Sequence, residues 1–196
     1  GDLGKFTQEQ NNFLTKTYDS NERMISLVND LLDVSRIEEG KFEYQFTKFD
    51  IKQLLKEVLD QYKVFIKEKE LLVKTNIDDQ GKILIRGDRE KLFVVFSNLI
   101  DNAVKFTAKG GIIDILANKD KNMAQVTIKD SGIGIGTEDQ KQLFTKFFRA
   151  ESAKRVQTQG TGLGLFIVKN IIKKHKGKIK IDSILNKGTT AVCWLP

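Results

Sequence analysis

From residue 7 to about residue 39 the sequence contains neither Gly nor Pro, and its apolar residues fall on one helical stripe. Leu14, Tyr18, Asn21, Ile25, Val28 and Leu32 recur in steps of four and three, the spacing of one helix face. Leu27, Leu31 and Val34 widen the stripe towards its end. Thr7, followed three residues later by Gln10, forms a reciprocal N-terminal cap, and Gly40 supplies the stop. At 1.5 Å per residue such a helix reaches ~50 Å. It cannot fold back to bury its own stripe, so it requires partner helices. Gly1-Asp2-Leu3-Gly4 reads as a turn before it, and the first boundary falls near residues 40–46.

The remainder reads as a single α/β domain. Phe42, Tyr44 and Phe46 alternate like a strand, and Asp50 caps a helix with the apolar face Leu54, Leu55, Val58, Tyr62, Phe65 and Ile66. Strand-like runs follow at 71–77 and 82–86, and Asp88 caps a second helix running to about Phe106. Strands at 112–117 and 123–129 lead into the turn Asp130-Ser131-Gly132. Thr137 opens a short helix with Gln140 as reciprocal cap, and the polar stretch 151–159 reads as a mobile segment. A helix at 162–176 ends at Gly177, and a hairpin pairs 178–184 with 189–195 through Asn186-Lys187-Gly188. With 196 residues, 40% of them hydrophobic, the chain can bury one full core and leave a smaller appendage.

Charge separates the candidate functions poorly. Thirty-three Lys and Arg against 26 Asp and Glu give +7, a surplus that could steer nucleic acid, anionic lipid or a phosphorylated ligand. The lysines are spread over almost every segment, as on a well-solvated surface. No run approaches the ~18 apolar residues of a membrane span. A single cysteine, Cys193, rules out an internal disulfide framework and suits a reducing compartment. The expected location is the cytoplasm, with any membrane anchor of an intact protein outside this chain.

Three short segments carry chemistry. On the helix from Asp88, the core face is Leu92, Phe96, Leu99 and Ala103, while Asn98, Asn102 and Lys105 line an adjacent stripe. Two asparagines inside a helix cost roughly 1 kcal/mol in propensity. Amide oxygens can ligate Mg²⁺ and a lysine can meet phosphate, although a polar solvent-facing stripe would look the same. Asp130, at a strand end beside glycines, can accept a hydrogen bond from an exocyclic amine, and Asp-Ser-Gly is also ordinary turn chemistry. Gly160-Thr161-Gly162-Leu163-Gly164-Leu165 bares several N–H groups where a helix begins, an anion site suited to a polyphosphate. It is neither a Walker loop nor a dinucleotide fingerprint.

In order, Asn98-Leu99-Ile100-Asp101-Asn102-Ala103-Val104-Lys105-Phe106, Asp130-Ser131-Gly132-Ile133-Gly134-Ile135, Leu143-Phe144-Thr145-Lys146-Phe147-Phe148-Arg149-Ala150 and Gly160-Thr161-Gly162-Leu163-Gly164-Leu165 resemble the four nucleotide-binding boxes of sensor histidine kinases. The segment 27–41 resembles the end of the second helix of the kinase dimerisation hairpin. The resemblance implies an α+β fold: a two-layer sandwich of a mixed sheet covered by helices on one face (the Bergerat ATP fold), preceded by one long helix. It divides the chain into 1–45, the hairpin helix, and 46–196, the catalytic ATP-binding domain. It implies that Asp130 reads the adenine amine, with Gly132 and Gly134 shaping that pocket and Thr189 near it. By the same resemblance Asn102 is the Mg²⁺ ligand, Asn98 and Lys105 contact metal-bound phosphates, and Phe106 lies near the nucleotide. Gly160, Thr161, Gly162, Leu163 and Gly164 line the phosphates under a lid at 151–159, and Arg149 approaches the γ-phosphate.

The family places its phosphate-accepting histidine on the first helix of the hairpin, which this sequence does not contain. His175, between Lys174 and Lys176 at a helix end, reads as a partly charged imidazole without an acidic partner, favoured by the negative helix terminus. The chain is thus expected to bind ATP and Mg²⁺ without phosphorylating itself. Its implied partners are an acceptor-histidine helix, a response regulator and a second copy joined through the N-terminal helix. The rivals are an ATPase of the gyrase, Hsp90 or mismatch-repair type, a silent nucleotide- or partner-binding module and, last, a nucleic-acid binder. The ATPases use a glutamate one turn before the metal asparagine, and here that position is Asn98, which cannot act as a general base.

Overall fold

A computed structural model describes residues 4, 6–78, 81–157 and 160–196, without the side chains at positions 19 and 23. The turn read at Gly1 to Leu3 and the last two positions of the stretch 151–159 lie outside the described residues. The chain divides into two compact units, Gly1–Phe42 and Glu43–Pro196.

The first unit is built on α1 (Gln8–Glu38). Its start is the expected capping box: Thr7 Oγ1 accepts from Gln10 N at 3.2 Å, and Gln10 Oε1 accepts from Thr7 N at 2.9 Å. Its end is a Schellman turn. Gly40 takes φ +69°, its N–H reaches Ile37 O, and Lys41 N reaches Arg36 O. Along the stripe, Leu14 is 48% exposed, Tyr18 65%, Ile25 48%, Val28 47% and Leu32 50%, whereas Val34 is buried.

The second unit runs β1 (Phe46–Asp50), α2 (Ile51–Gln61), α3 (Lys63–Glu68), β2 (Leu72–Thr75), β3 (Leu84–Asp88), α4 (Arg89–Phe106), β4 (Ile112–Asp120), β5 (Met123–Asp130), α5 (Thr137–Gln140), α6 (Glu151–Val156), α7 (Gly164–Lys174), β6 (Lys178–Ile184) and β7 (Gly188–Leu195). The main sheet has the order β2-β4-β5-β7-β6. The β2–β4 pair is parallel and the other pairs are antiparallel, so the sheet is mixed. β1 and β3 form a separate two-stranded antiparallel sheet.

Alternation along the strands sends Ile113, Ile115, Ala117, Ala124, Val126, Ile128, Ala191, Cys193 and Leu195 into the core. They meet the apolar faces of α2, α4 and α7, and α4 packs against both other helices. The predicted face of α4 is buried at Leu92, Phe96, Leu99 and Ala103. The α+β sandwich with a mixed sheet and a preceding long helix is therefore the observed architecture.

Several local expectations need correction. Phe42 and Tyr44 lie outside any strand, and β1 begins at Phe46, where its partner β3 begins to pair. The helix capped by Asp50 breaks at Tyr62 (φ −98°, ψ 2°), which leaves Phe65 55% exposed. Gly136, not Thr137, is the N-cap of α5, and the Gln140 amide instead donates to Ile135 O and Ser183 O. Part of the segment expected to be mobile is helical. In α6, Glu151 N donates to Asp139 Oδ2 at 3.0 Å, and Ser152 Oγ donates to Gly134 O. α7 starts at Gly164 because Gly162, at φ +68°, is in a left-handed conformation no α-helix continues through.

His175 differs from its expected state too. The ring is 3% exposed, its Nε2 accepts from Asp88 N at 2.8 Å, and Nδ1 lies 2.8 Å from Ile171 O. Burial lowers its pKa, although the Ile171 carbonyl and the Asp88 charge pull the other way. Accepting at Nε2 and donating at Nδ1 requires a neutral ring. His175 is a core residue, packed against Phe46 and edge-on to Tyr44.

Candidate functional site

Asp130 ends β5, the central strand, opposite Ile113 on one side and Thr189 on the other. Its Oδ1 accepts from Gly132 N at 2.8 Å and Thr189 N at 3.3 Å. Among the described residues, Oδ2 accepts no hydrogen bond. Burial raises its pKa above the ordinary aspartate range, and the two amides partly offset that. The result is a half-buried carboxylate with one oxygen anchored to the main chain and the other available to an incoming N–H donor. Gly132 has no room for a side chain: a Cβ there would lie 2.5 Å from Phe106 O and 2.7 Å from Asp130 Oδ1. This close approach joins the loop after β5 to the end of α4. Ile133 N adds a hydrogen bond to Phe106 O at 3.2 Å.

α4 brings the polar stripe to that junction. Asp88 caps it by accepting from Lys91 N at 3.0 Å. Asn98 Nδ2 donates back to Val94 O at 3.0 Å, and a Cβ on Gly164 would lie 2.2 Å from Asn98 Oδ1. The first asparagine is thus seated directly on the start of α7. Asn102 is half-buried and its carboxamide makes no hydrogen bond among the described residues. Lys105 pairs with Asp101 at 2.5 Å on its own helix.

The glycine-rich segment closes on the other side. Thr161 Oγ1 accepts from Leu163 N at 3.2 Å, Leu163 is 1% exposed, and Gly162 packs against the backbone of Phe147 and Phe148. The Arg149 guanidinium lies against Gly160 and donates to Gln157 O, so it sits where the segment after α6 meets the glycine loop. Gly134 lies against the Ile184 carbonyl, beside the β6–β7 turn. The structure therefore groups Phe106, Asp130, Gly132 and Thr189, joins Asn98 to Gly164, and joins Arg149 to Gly160.

Sequence reading missed the polar residues that brace this site. Ser183 Oγ donates to Gly188 O, accepts from Ile135 N, and lies 2.9 Å from Thr189 Oγ1. No local signal marks Ser183, because its role follows from the β6–β7 register, Ser183 opposite Thr189. Phe147 is 64% exposed at φ +62°, a conformation unusual for an aromatic residue and invisible in the sequence.

A divalent metal would have to share this site with a ligand. Among the described residues no group of three or more His, Cys, Asp or Glu side chains could hold one. Asn102 offers one hard, neutral oxygen, which suits Mg²⁺ when phosphates and water complete its shell. The residues fit such an ion on those terms. No described helix is long and apolar enough to cross a membrane.

A half-buried carboxylate at the central strand end, an asparagine-bearing helix and a glycine-rich helix start lie together on a domain of the ATP-binding type. The chain belongs to the histidine kinase-, DNA gyrase B- and HSP90-like ATPase family, whose profile matches residues 87–196, more than half of it. Its similarity within that family is to sensor histidine kinases. It is 34% identical over 196 residues to the circadian input-output histidine kinase CikA of Synechococcus elongatus, covering 99% of this chain and 26% of CikA. It is 34% identical over 186 residues to the sensor histidine kinase WalK of Bacillus subtilis, covering 94% of this chain and 30% of WalK. The chain thus spans about a quarter to a third of these relatives. Full-length ShkA in complex with AMPPNP superposes with a TM-score of 0.79 at 26% identity, covering 100% of this chain and 40% of ShkA. The catalytic domain of histidine kinase ThkA gives 0.66 at 30% identity, covering 78% of this chain and 95% of that domain.

Proposed function

We propose that this chain is the ATP-binding kinase portion of a two-component sensor histidine kinase. In this reading residues 46–196 bind Mg-ATP and present its γ-phosphate to a histidine on a helix outside this sequence. Residues 1–45 form the second helix of the dimerisation hairpin, where the exposed stripe of α1 meets partner helices and joins two copies. A response-regulator aspartate then receives the phosphate.

The observation that carries this reading is Asp130: a half-buried carboxylate whose Oδ1 is anchored by two main-chain amides, leaving Oδ2 to accept the adenine amine. Gly132, Gly134 and Thr189 shape that end of the pocket, and Phe106 borders it. Asn102 would hold Mg²⁺, with Asn98 and Lys105 beside the phosphates. Mg²⁺, when bound, supplies positive charge against the triphosphate. Gly160, Thr161, Gly162, Leu163 and Gly164 form the loop at the start of α7 that would receive the same anion, with the Leu163 N–H already donated to Thr161 Oγ1. Arg149 stands ready to neutralise charge on the transferring phosphoryl group. Such transfer depends mainly on positioning and charge neutralisation, which these residues supply.

The hydrolase reading fails on Asn98, a neutral amide packed on Gly164 that cannot take a proton from water. The test is to mix this chain and Mg-ATP with a separate helical hairpin carrying the acceptor histidine. Acid-labile phosphohistidine on the hairpin, abolished by Asn102→Ala, is expected. Tight nucleotide binding without any phosphohistidine would make the chain a silent binding module. Rapid ATP turnover without the hairpin would restore the hydrolase.

A further inference from the structure

The asparagine stripe and the Asp130 loop both depend on the last turn of α4, and a side chain from outside that helix holds the turn. The final four carbonyls of an α-helix have no partner within it. In α4 each finds one elsewhere. Ala103 O accepts the amide and hydroxyl of Thr107, at 3.1 and 2.6 Å. Val104 O and Lys105 O accept from Lys69 Nζ, at 2.8 and 2.9 Å. Phe106 O accepts from Ile133 N, in the loop that follows Asp130.

The third proton of Lys69 goes to Thr107 O at 3.0 Å. All three acceptors are main-chain carbonyls, and the carbonyl of Lys69 itself accepts from Gly110 N at 2.9 Å. Lys69 is half-buried, and burial lowers its pKa below the ordinary lysine value. A solvated surface lysine would show neither feature. A cation at a helix C-terminus is favoured by the carbonyl dipoles it meets.

We propose that Lys69 is a positioning residue for nucleotide binding, its ammonium standing in for the missing next turn of α4. It thereby fixes the spacing between Lys105 and Phe106 on that turn, with Asn102 immediately before it, and the Asp130 loop that the same turn grips through Phe106 O. This rests on the nucleotide reading of the site given above. Removal of a lysine that serves stability alone would lower the melting temperature and leave the affinity of folded molecules unchanged.

The test uses the whole chain with Lys69→Met, which keeps the stem and removes the donors, and Lys69→Arg, which keeps a cation with several. Mg-AMPPNP affinity is read by calorimetry at a temperature where circular dichroism shows each variant folded. Amide exchange at Gly132 and Ile133 is read without nucleotide. The expected result is about tenfold weaker binding in Lys69→Met, faster exchange at both amides, and recovery of most of both in Lys69→Arg. If Lys69→Met does not fold, Lys69→Gln takes its place under the same readings. Unchanged affinity in either donor-poor variant, with normal wild-type binding, overturns the role of Lys69 and leaves the nucleotide reading intact. A wild-type chain that binds no Mg-AMPPNP overturns both.

Discussion

α1 and α4 are both amphipathic helices with capped starts, yet they meet opposite fates. In α4, Leu92, Phe96, Leu99 and Ala103 are at most 4% exposed, covered by α2, α7 and the sheet. In α1, Leu14, Tyr18, Ile25, Val28 and Leu32 are 47–65% exposed. Periodicity states which face of a helix must be covered, and only the rest of the fold states by what. A second contrast concerns the ends. α1 closes with its own Schellman turn, whereas the end of α4 is completed by Lys69, Thr107 and Ile133. A helix that finishes itself can be carried to partners elsewhere, and a helix finished by its neighbours is locked into the site it serves.

The contrast breaks most visibly in the core. Phe96→Ala should destabilise the second unit by about 3–5 kcal/mol, read by denaturant unfolding. A loss as small as that of a surface residue would mean α4 is not the buried helix described here.

That core face was legible because Leu92, Phe96, Leu99 and Ala103 carry a clean period, and the mixed sheet was legible because strands alternate. Asp130, Asn102 and the glycine loop were legible as residue types in order. Ser183, Lys69 and the true state of His175 were not, because each acts through a register or a long-range contact. Asp88 and His175 are 87 positions apart in sequence, yet the amide of one donates to the ring of the other. Local pattern also assigned Phe65 to a buried face, since nothing in its neighbourhood announces the break at Tyr62.

His175→Ala sharpens the same contrast between locally and remotely finished ends. It should cost about 2–4 kcal/mol, combining a cavity with an unsatisfied Asp88 amide. The wild-type pH profile carries its own sign. With the folded pKa lowered, the unfolded chain binds more protons, so stability is held above the unfolded histidine value of about 6.5. It should fall as pH drops from there towards the folded pKa. His175→Phe should flatten that part of the melting-temperature profile, and an unaltered profile would remove His175 from the account.

Gly164→Ala probes the seat of Asn98. A methyl 2.2 Å from Asn98 Oδ1 forces a shift, with an expected cost of about 1–3 kcal/mol. Nucleotide affinity should fall along with it, and a variant that binds normally would detach Asn98 from the site. The smallest change to folding is expected in α1: Leu32→Ser should alter the stability of the second unit by less than about 0.5 kcal/mol. Sedimentation should nevertheless show weaker self-association. Equal association of wild type and variant would mean the stripe is not the surface that joins two copies.

The identity of the site rests on Asp130 Oδ2, and Asp130→Asn tests it most directly. The amide oxygen keeps the bonds to Gly132 and Thr189, while an NH₂ replaces the free acceptor. Calorimetric titration with Mg-AMPPNP should show a loss of about 1.5–3 kcal/mol, roughly ten- to hundredfold in affinity, in a variant that melts near the wild type. Affinity equal to the wild type would mean that this carboxylate does not receive the purine amine.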